Sequence, residues 1–217
     1  MSKFRHSRLA PPGLRLVDEG QWSMSGIELR EFLTQLRAAP RAVGAIAPSS
    51  RALAEAMVAP IDFAQAGAIV ELGPGTGSIT AAIARRLNDR TRYLGIEISE
   101  GFCRTLKRRF PGLDFVNGSA EDLQSILIAS GIDAVDTVIC GLPWASLPTE
   151  LQTRILAGVV DSLRPGGVFV TFAYLQGLLL PAARALRRRL RREFAIVETT
   201  RIVWGNLPPA FAYVCRK

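Results

Sequence analysis

Two acidic residues and a glycine-rich stretch offer the clearest chemistry in this 217-residue chain. The run Val70-Glu71-Leu72-Gly73-Pro74-Gly75-Thr76-Gly77-Ser78 reads as the end of a strand, a tight turn and the start of a helix. Glycines in such a turn let the backbone bend sharply and approach a ligand with no Cβ in the way. Dinucleotide loops of this shape bring a pyrophosphate to the helix N-terminus. An acid two residues before Gly73 suits a ligand with an ammonium group instead, held by Glu71 directly or through water. Gly73, Pro74, Gly75, Thr76 and Gly77 would line it. Glu97, in Gly95-Ile96-Glu97-Ile98, falls about 20 residues beyond the loop, where a carboxylate accepts hydrogen bonds from both hydroxyls of a ribose. A third segment, Asn117-Gly118-Ser119-Ala120-Glu121-Asp122, is placed to meet a ring edge through Gly118, Ser119 and the Ala120 amide. Ser119 suits the cap of the following helix equally well, and Glu121 and Asp122 favour a positive helix start.

A reacting centre is suggested by Cys140-Gly141-Leu142-Pro143-Trp144. Backbone carbonyls of a rigid turn can accept the N–H bonds of an amine and hold its lone pair in line for displacement. Gly141, Leu142 and Pro143 are the candidates, with Pro143 fixing the backbone and Trp144 expected to wall the site. An ammonium substrate also needs a proton acceptor. Glu121 and Tyr174 are the two candidates; for Tyr174 simple core packing is an equal reading. The single histidine, His6, receives no role. Three widely spaced cysteines, Cys103, Cys140 and Cys215, suit neither a zinc site nor a disulfide framework, so no metal is expected and a reducing compartment is the simplest home.

The elements that must position these residues alternate from residue 68 onward. Short runs rich in β-branched and aromatic residues, such as 68–72, 135–140 and 168–174, are separated by helical patterns. That alternation implies a mainly parallel sheet with helices on both faces. Seven strands are counted. The last two, expected at 195–203 and 210–215, are joined by too few residues for a helical crossover, so they form a hairpin and the final strand runs antiparallel. Arg164-Pro165-Gly166-Gly167 is read as a helix stop, and Ser49 or Ser50 as the cap of a helix ending at Pro60. Residues 1–24 read as a mobile basic tail, 25–60 as amphipathic lid helices and 61–217 as the catalytic domain. Leu29, Phe32, Leu33 and Leu36 share one helical face, fit for a lid over the core or for insertion into a membrane interface. Arg184, Arg187, Arg188, Arg189, Arg191 and Arg192 make a dense basic helix, either a solvated face or a contact for anionic lipid. The net charge of +8 favours polyanionic partners, and no apolar run approaches the ~20 residues of a membrane span.

Together the sequence resembles the bacterial phospholipid N-methyltransferases, relatives of the ribosomal RNA adenine dimethyltransferases. The likeness rests on Val43-Gly44-Ala45-Ile46-Ala47-Pro48-Ser49-Ser50-Arg51, on 70–77, on Cys140-Gly141-Leu142-Pro143 and on Asn206-Leu207-Pro208-Pro209-Ala210. It implies a Rossmann-like class I methyltransferase fold that takes S-adenosylmethionine and leaves S-adenosylhomocysteine. Glu71, Gly73–Gly77, Glu97, Ile98, Gly118, Ser119, Ala120 and Gly141 would hold the cofactor. The implied reaction is stepwise methylation of phosphatidylethanolamine toward phosphatidylcholine. It would run on a monomer bound peripherally to an anionic membrane, at the cytoplasmic face of the plasma membrane. Adenine methylation of RNA is the alternative. The RNA enzymes carry Asn where this chain has Gly141 and usually add a C-terminal helical domain; both differences favour the lipid and argue against nucleic acid.

Overall fold

The computed structural model describes residues 15–17, 21–23, 50–179 and 181–217. The amphipathic segment with Leu29, Phe32, Leu33 and Leu36 lies outside the described residues. Within the stretch read as a tail, β1 (Arg15–Val17) and β2 (Gln21–Ser23) pair as a two-stranded antiparallel ribbon.

From Ser50 the chain follows the expected alternation. The helix α1 (Arg51–Val58) is capped by the Ser50 hydroxyl, which accepts from the Leu53 amide at 3.2 Å. Next come β3 (Ala68–Leu72), α2 (Ser78–Ala84), β4 (Arg92–Glu97), α3 (Glu100–Arg109) and β5 (Asp114–Asn117). Then α4 (Leu123–Ala129), β6 (Val135–Cys140), α5 (Thr149–Ser162), β7 (Leu163–Tyr174), α6 (Pro181–Glu193), β8 (Ile196–Thr199) and β9 (Ala210–Arg216) complete it. In α3, Glu100 opens the helix and Lys107, Arg108 and Arg109 close it, each sign matched to the helix dipole.

The seven-stranded sheet has the order β5-β4-β3-β6-β7-β9-β8. Strands β3 to β7 pair in parallel, and β9 is antiparallel to both β7 and β8. The reversed strand is last in the chain but lies second from the sheet edge, inserted between β7 and β8. Strand order departs in opposite directions from β3 and β6. Open α/β sheets bind ligands in the crevice at the carboxyl ends of such a pair.

Alternate residues of each strand feed two cores. Val70, Leu72, Leu94, Ile96, Val138 and Phe169 pack beneath α4, α5 and α6. Ile69, Tyr93, Ile139, Val170 and Phe172 pack beneath α1, α2 and α3. Strands buried on both faces explain the near-continuous apolar runs in the sequence. Cys103, Cys140 and Cys215 are buried free thiols.

Two expectations need correction. Helix α5 does end at Ser162, just before residues 164–167, but those residues lie within β7, which starts at Leu163 rather than 168 and passes an irregularity opposite Val135–Thr137. The chain end supports this stretch, for Gly166 N–H donates to Lys217 O and Lys217 N–H to Gly167 O. The Lys217 ammonium also donates to Val160 O and Leu163 O, supplying partners for carbonyls left open where α5 ends. The second correction concerns β8, which stops at Thr199 rather than 203; beyond it only an isolated bridge joins Val203 to Ala210.

Asn206 stands in the turn that precedes β9. Its side chain is buried and spans two distant segments. Asn206 Oδ1 accepts from Ser50 N–H at 2.9 Å and Asn206 Nδ2 donates to Pro208 O at 2.7 Å. The two outermost motifs of the chain thus meet. Asn206→Ala leaves both partners open and is expected to lower unfolding free energy by about 1–3 kcal/mol. Urea titration checks this through a lower midpoint at unchanged slope. Asn206→Asp keeps the Ser50 bond and should lose less.

Candidate functional site

The turns after β3, β4, β5 and β6 all open at the carboxyl end of the parallel strands, and backbone bonds knit them together. Gly73 N–H donates to Ile96 O at 2.9 Å, Gly141 N–H to Leu72 O at 2.8 Å and Gly118 N–H to Glu97 O at 3.2 Å. The turn after β3 uses positive φ at Gly73, Gly75 and Gly77, a region that side chains with a Cβ rarely occupy.

Glu71 and Glu97 both sit fully buried on the face that carries Tyr93. Glu71 Oε2 accepts from Tyr93 Oη at 2.6 Å and Thr80 Oγ1 at 2.8 Å. Its other oxygen, Oε1, is buried with no hydrogen-bond partner among the described residues. Burial pushes the Glu71 carboxyl up from 4.5 to about 7, with the nearby Glu97 charge adding to the rise, against the lowering effect of the two hydroxyl bonds. An unsatisfied carboxylate oxygen at a ligand turn is the acceptor that an ammonium group requires.

Glu97 accepts from Gly75 N–H at 2.8 Å and Ser99 N–H at 2.9 Å, one bond to each oxygen. It therefore ties the glycine turn to the end of β4. Asn117 Nδ2 braces the same bend by donating to Glu97 O and Ile98 O. Arg109 reaches from the end of α3 to donate to Thr76 O at 2.8 Å. Tyr93, Thr80 and Arg109 were not singled out from sequence, and Asn117 only as the first residue of the third segment. No local motif marks the first three, because each is set by a neighbouring strand or helix.

Ser119 does cap the short 3-10 turn Ala120–Asp122, although its bond to Glu121 N–H is long at 3.4 Å. Glu121 is engaged by Arg154 at 3.0 Å. Tyr174 packs edge-on against Phe172, with ring centroids 5.4 Å apart, and burial holds its phenol above its usual range. That shift disfavours the phenolate.

The 141–147 turn is built from within. Trp144, expected as a wall, is buried in the core beside Phe169 and donates from Nε1 to Thr171 Oγ1 at 2.8 Å. Thr171 donates onward to Cys140 O at 3.1 Å. Gln152, also buried, donates from Nε2 to Trp144 O and Leu147 O at 2.7 and 2.9 Å and accepts from Arg189 at 3.0 Å. The turn is thereby held at its start and at its end. Gly141 has a spatial reason as well: a Cβ there would lie 2.9 Å from the Gly73 carbonyl oxygen. Among the described residues no three metal-binding side chains gather, and no helix is long and apolar enough to cross a membrane.

Gly141→Asn should therefore displace the glycine turn. The expected cost is about 1–3 kcal/mol of stability, together with at least tenfold weaker binding of S-adenosylhomocysteine in calorimetry. Gln152→Leu leaves two carbonyls and Arg189 without their partner and is expected to lower the melting temperature, with a cost of about 1–3 kcal/mol.

Comparison with known proteins agrees with this geometry. The family described as Methyltransferase domain matches residues 69–167. The chain is 37% identical over 178 residues to an ornithine lipid N-methyltransferase of Singulisphaera acidiphila, covering 81% of this chain and 88% of that one. By fold it is similar to an O-methyltransferase from Bacillus cereus in complex with S-adenosylhomocysteine. There the TM-score is 0.61 and the identity 19%, over 87% of this chain and 90% of that one. It is likewise similar to the O-methyltransferase TomG from Streptomyces achromogenes in complex with S-adenosylmethionine. That match has a TM-score of 0.59 and 20% identity, over 86% and 90% of the two chains. The sheet order, the turn after β3 and the extended likeness to a lipid-modifying relative converge on one conclusion: the chain is a class I S-adenosylmethionine-dependent methyltransferase and belongs to the bacterial lipid N-methyltransferase family.

Proposed function

We propose that this enzyme methylates the amine of a membrane lipid headgroup, with ornithine lipid and phosphatidylethanolamine as the substrates to be distinguished. The observation that carries the proposal is the likeness to the ornithine lipid enzyme along most of both chains. Each headgroup presents a primary alkylammonium on a flexible tether. A turn that offers carbonyl oxygens can receive either.

S-adenosylmethionine supplies an activated methyl group on a sulfonium centre. The protein's part is to bind, orient and exclude water. Glu71 offers Oε1 to an ammonium, Glu97 receives ribose hydroxyls while anchoring Gly75, and Gly118, Ser119 and the Ala120 amide flank the ring. Gly73, Pro74, Thr76, Gly77 and Ile98 shape the cradle. The carbonyls of Gly141, Leu142 and Pro143 accept the substrate N–H bonds. Those of Leu142 and Pro143 do so through a second lone pair, since each already accepts from the turn itself, from Trp144 N–H and Ser146 N–H. The contact of Gly141 with the glycine turn supports backbone acceptors over a side-chain amide at this position, which favours the lipid over an RNA base. Glu121 remains the candidate that can take up a proton, with Arg154 beside it.

Three measurements test this. Lipid extracts from a host making both headgroups, with and without the chain, are examined by mass spectrometry. Added methyl groups on ornithine lipid or phosphatidylethanolamine are expected, and methyladenine in RNA with no methylated lipid would overturn the proposal. Glu97→Ala should weaken S-adenosylhomocysteine binding roughly tenfold to a hundredfold, the loss of one or two hydrogen bonds to a charged group. The Glu71 carboxyl, raised to about 7, is ionised above that pH and neutral below it. Cofactor affinity should therefore fall as pH is lowered from 7 to 5.5, by at most tenfold per unit. Glu71→Gln should flatten that dependence.

A further inference from the structure

Large apolar side chains left in water are ordinary when scattered singly. Two stand on one turn here: Trp204 is 69% and Leu207 82% exposed, the latter the most exposed large apolar residue described. The turn at residues 200–209 follows β8. Because β8 runs parallel to β3 through β7, this turn emerges at the same end of the sheet as the glycine turn and Gly141.

The turn is held firmly from behind. Asn206, between the two exposed residues, is buried and bonded to Ser50 and Pro208. Val203 N–H donates to Ala210 O at 2.7 Å, and Leu175 N–H to Pro209 O at 2.8 Å. A braced backbone that points a tryptophan and a leucine outward loses little conformational freedom when those side chains are buried elsewhere.

The surroundings select the occupant. From Thr200 to Pro209 the turn carries Arg201 and no acid. Leu175, bonded to this turn, leads into α6, whose Arg184, Arg187, Arg188, Arg191 and Arg192 are exposed. An amphipathic indole and a leucine beside cations fit the boundary between anionic headgroups and acyl chains.

We infer that the turn carrying Trp204 and Leu207 inserts into an anionic bilayer and sets the mouth of the methyltransferase site against the lipid surface. This rests on the lipid-methylation reading and adds to it the residues that dock. The full chain with Trp22→Phe leaves Trp144, buried beside Phe169, and Trp204 as its indoles. Vesicles of phosphatidylglycerol and phosphatidylcholine should shift its emission to the blue, and brominated acyl chains should quench it. Trp204→Ser combined with Leu207→Ser should reduce vesicle binding at least tenfold. S-adenosylhomocysteine binding and methylation of detergent-dispersed lipid should stay unchanged.

The inference fails if the double variant binds vesicles as the parent does, or if bound vesicles leave the emission unmoved. It also fails if the Trp204 emission is already blue without lipid, which would mean that another part of this chain covers the turn. If the shift and quenching occur but dispersed lipid is never methylated, the docking surface stands and the proposed reaction falls.

Discussion

A carboxylate removed from water keeps its charge only as far as its neighbours replace the lost solvation. At Glu71 that replacement stops halfway. Tyr93 and Thr80 satisfy one oxygen, and the other has no partner among the described residues. The group consequently titrates near neutrality. In the proposed function an amino-acid ammonium completes that shell. The rest of the site can be read as what this half-finished shell requires: a turn with no Cβ above it, a second acid to hold that turn closed, and a sheet end where both meet.

Glu97 plays the complementary part. Its two oxygens receive backbone amides from Gly75 and Ser99, so the bend after β4 and the turn after β3 move as one body. Arg109 and Asn117 fasten the same region from the helix and strand beyond. On the far side of β3, Gly141 lies against the Gly73 carbonyl, while Trp144, Thr171 and Gln152 set the rest of that turn. The turns after β3 and β6 therefore share a backbone contact. Displacement needs alignment to a fraction of an ångström, and direct backbone packing passes position between the halves with little slack.

Much of this was legible in the amino acids alone. The alternation of buried runs with helical patterns fixes a parallel sheet, because strands covered on both faces have no polar side to show. The hairpin at the end follows from a connection too short to cross over. Glycines beside an acid announce a ligand turn because few other residue types fit one. The lipid N-methyltransferase resemblance rests on local motifs, and local motifs survive in sequence.

What tertiary structure alone decided concerns partners far apart in the chain. Nothing near Tyr93 or Thr80 says that they share an oxygen of Glu71, and nothing near Asn206 says that it reaches Ser50. Trp144 has the composition of a site wall, yet it packs inward because Thr171 offers its indole a hydrogen-bond acceptor beside Phe169. Residues 164–167 do stop a helix, and they also join β7, where Lys217 folds back to bond with Gly166 and Gly167. Sequence sets periodicity and turn chemistry, which act over a few residues. Burial and hydrogen-bond satisfaction act through space, and only the closed fold determines which donor meets which acceptor.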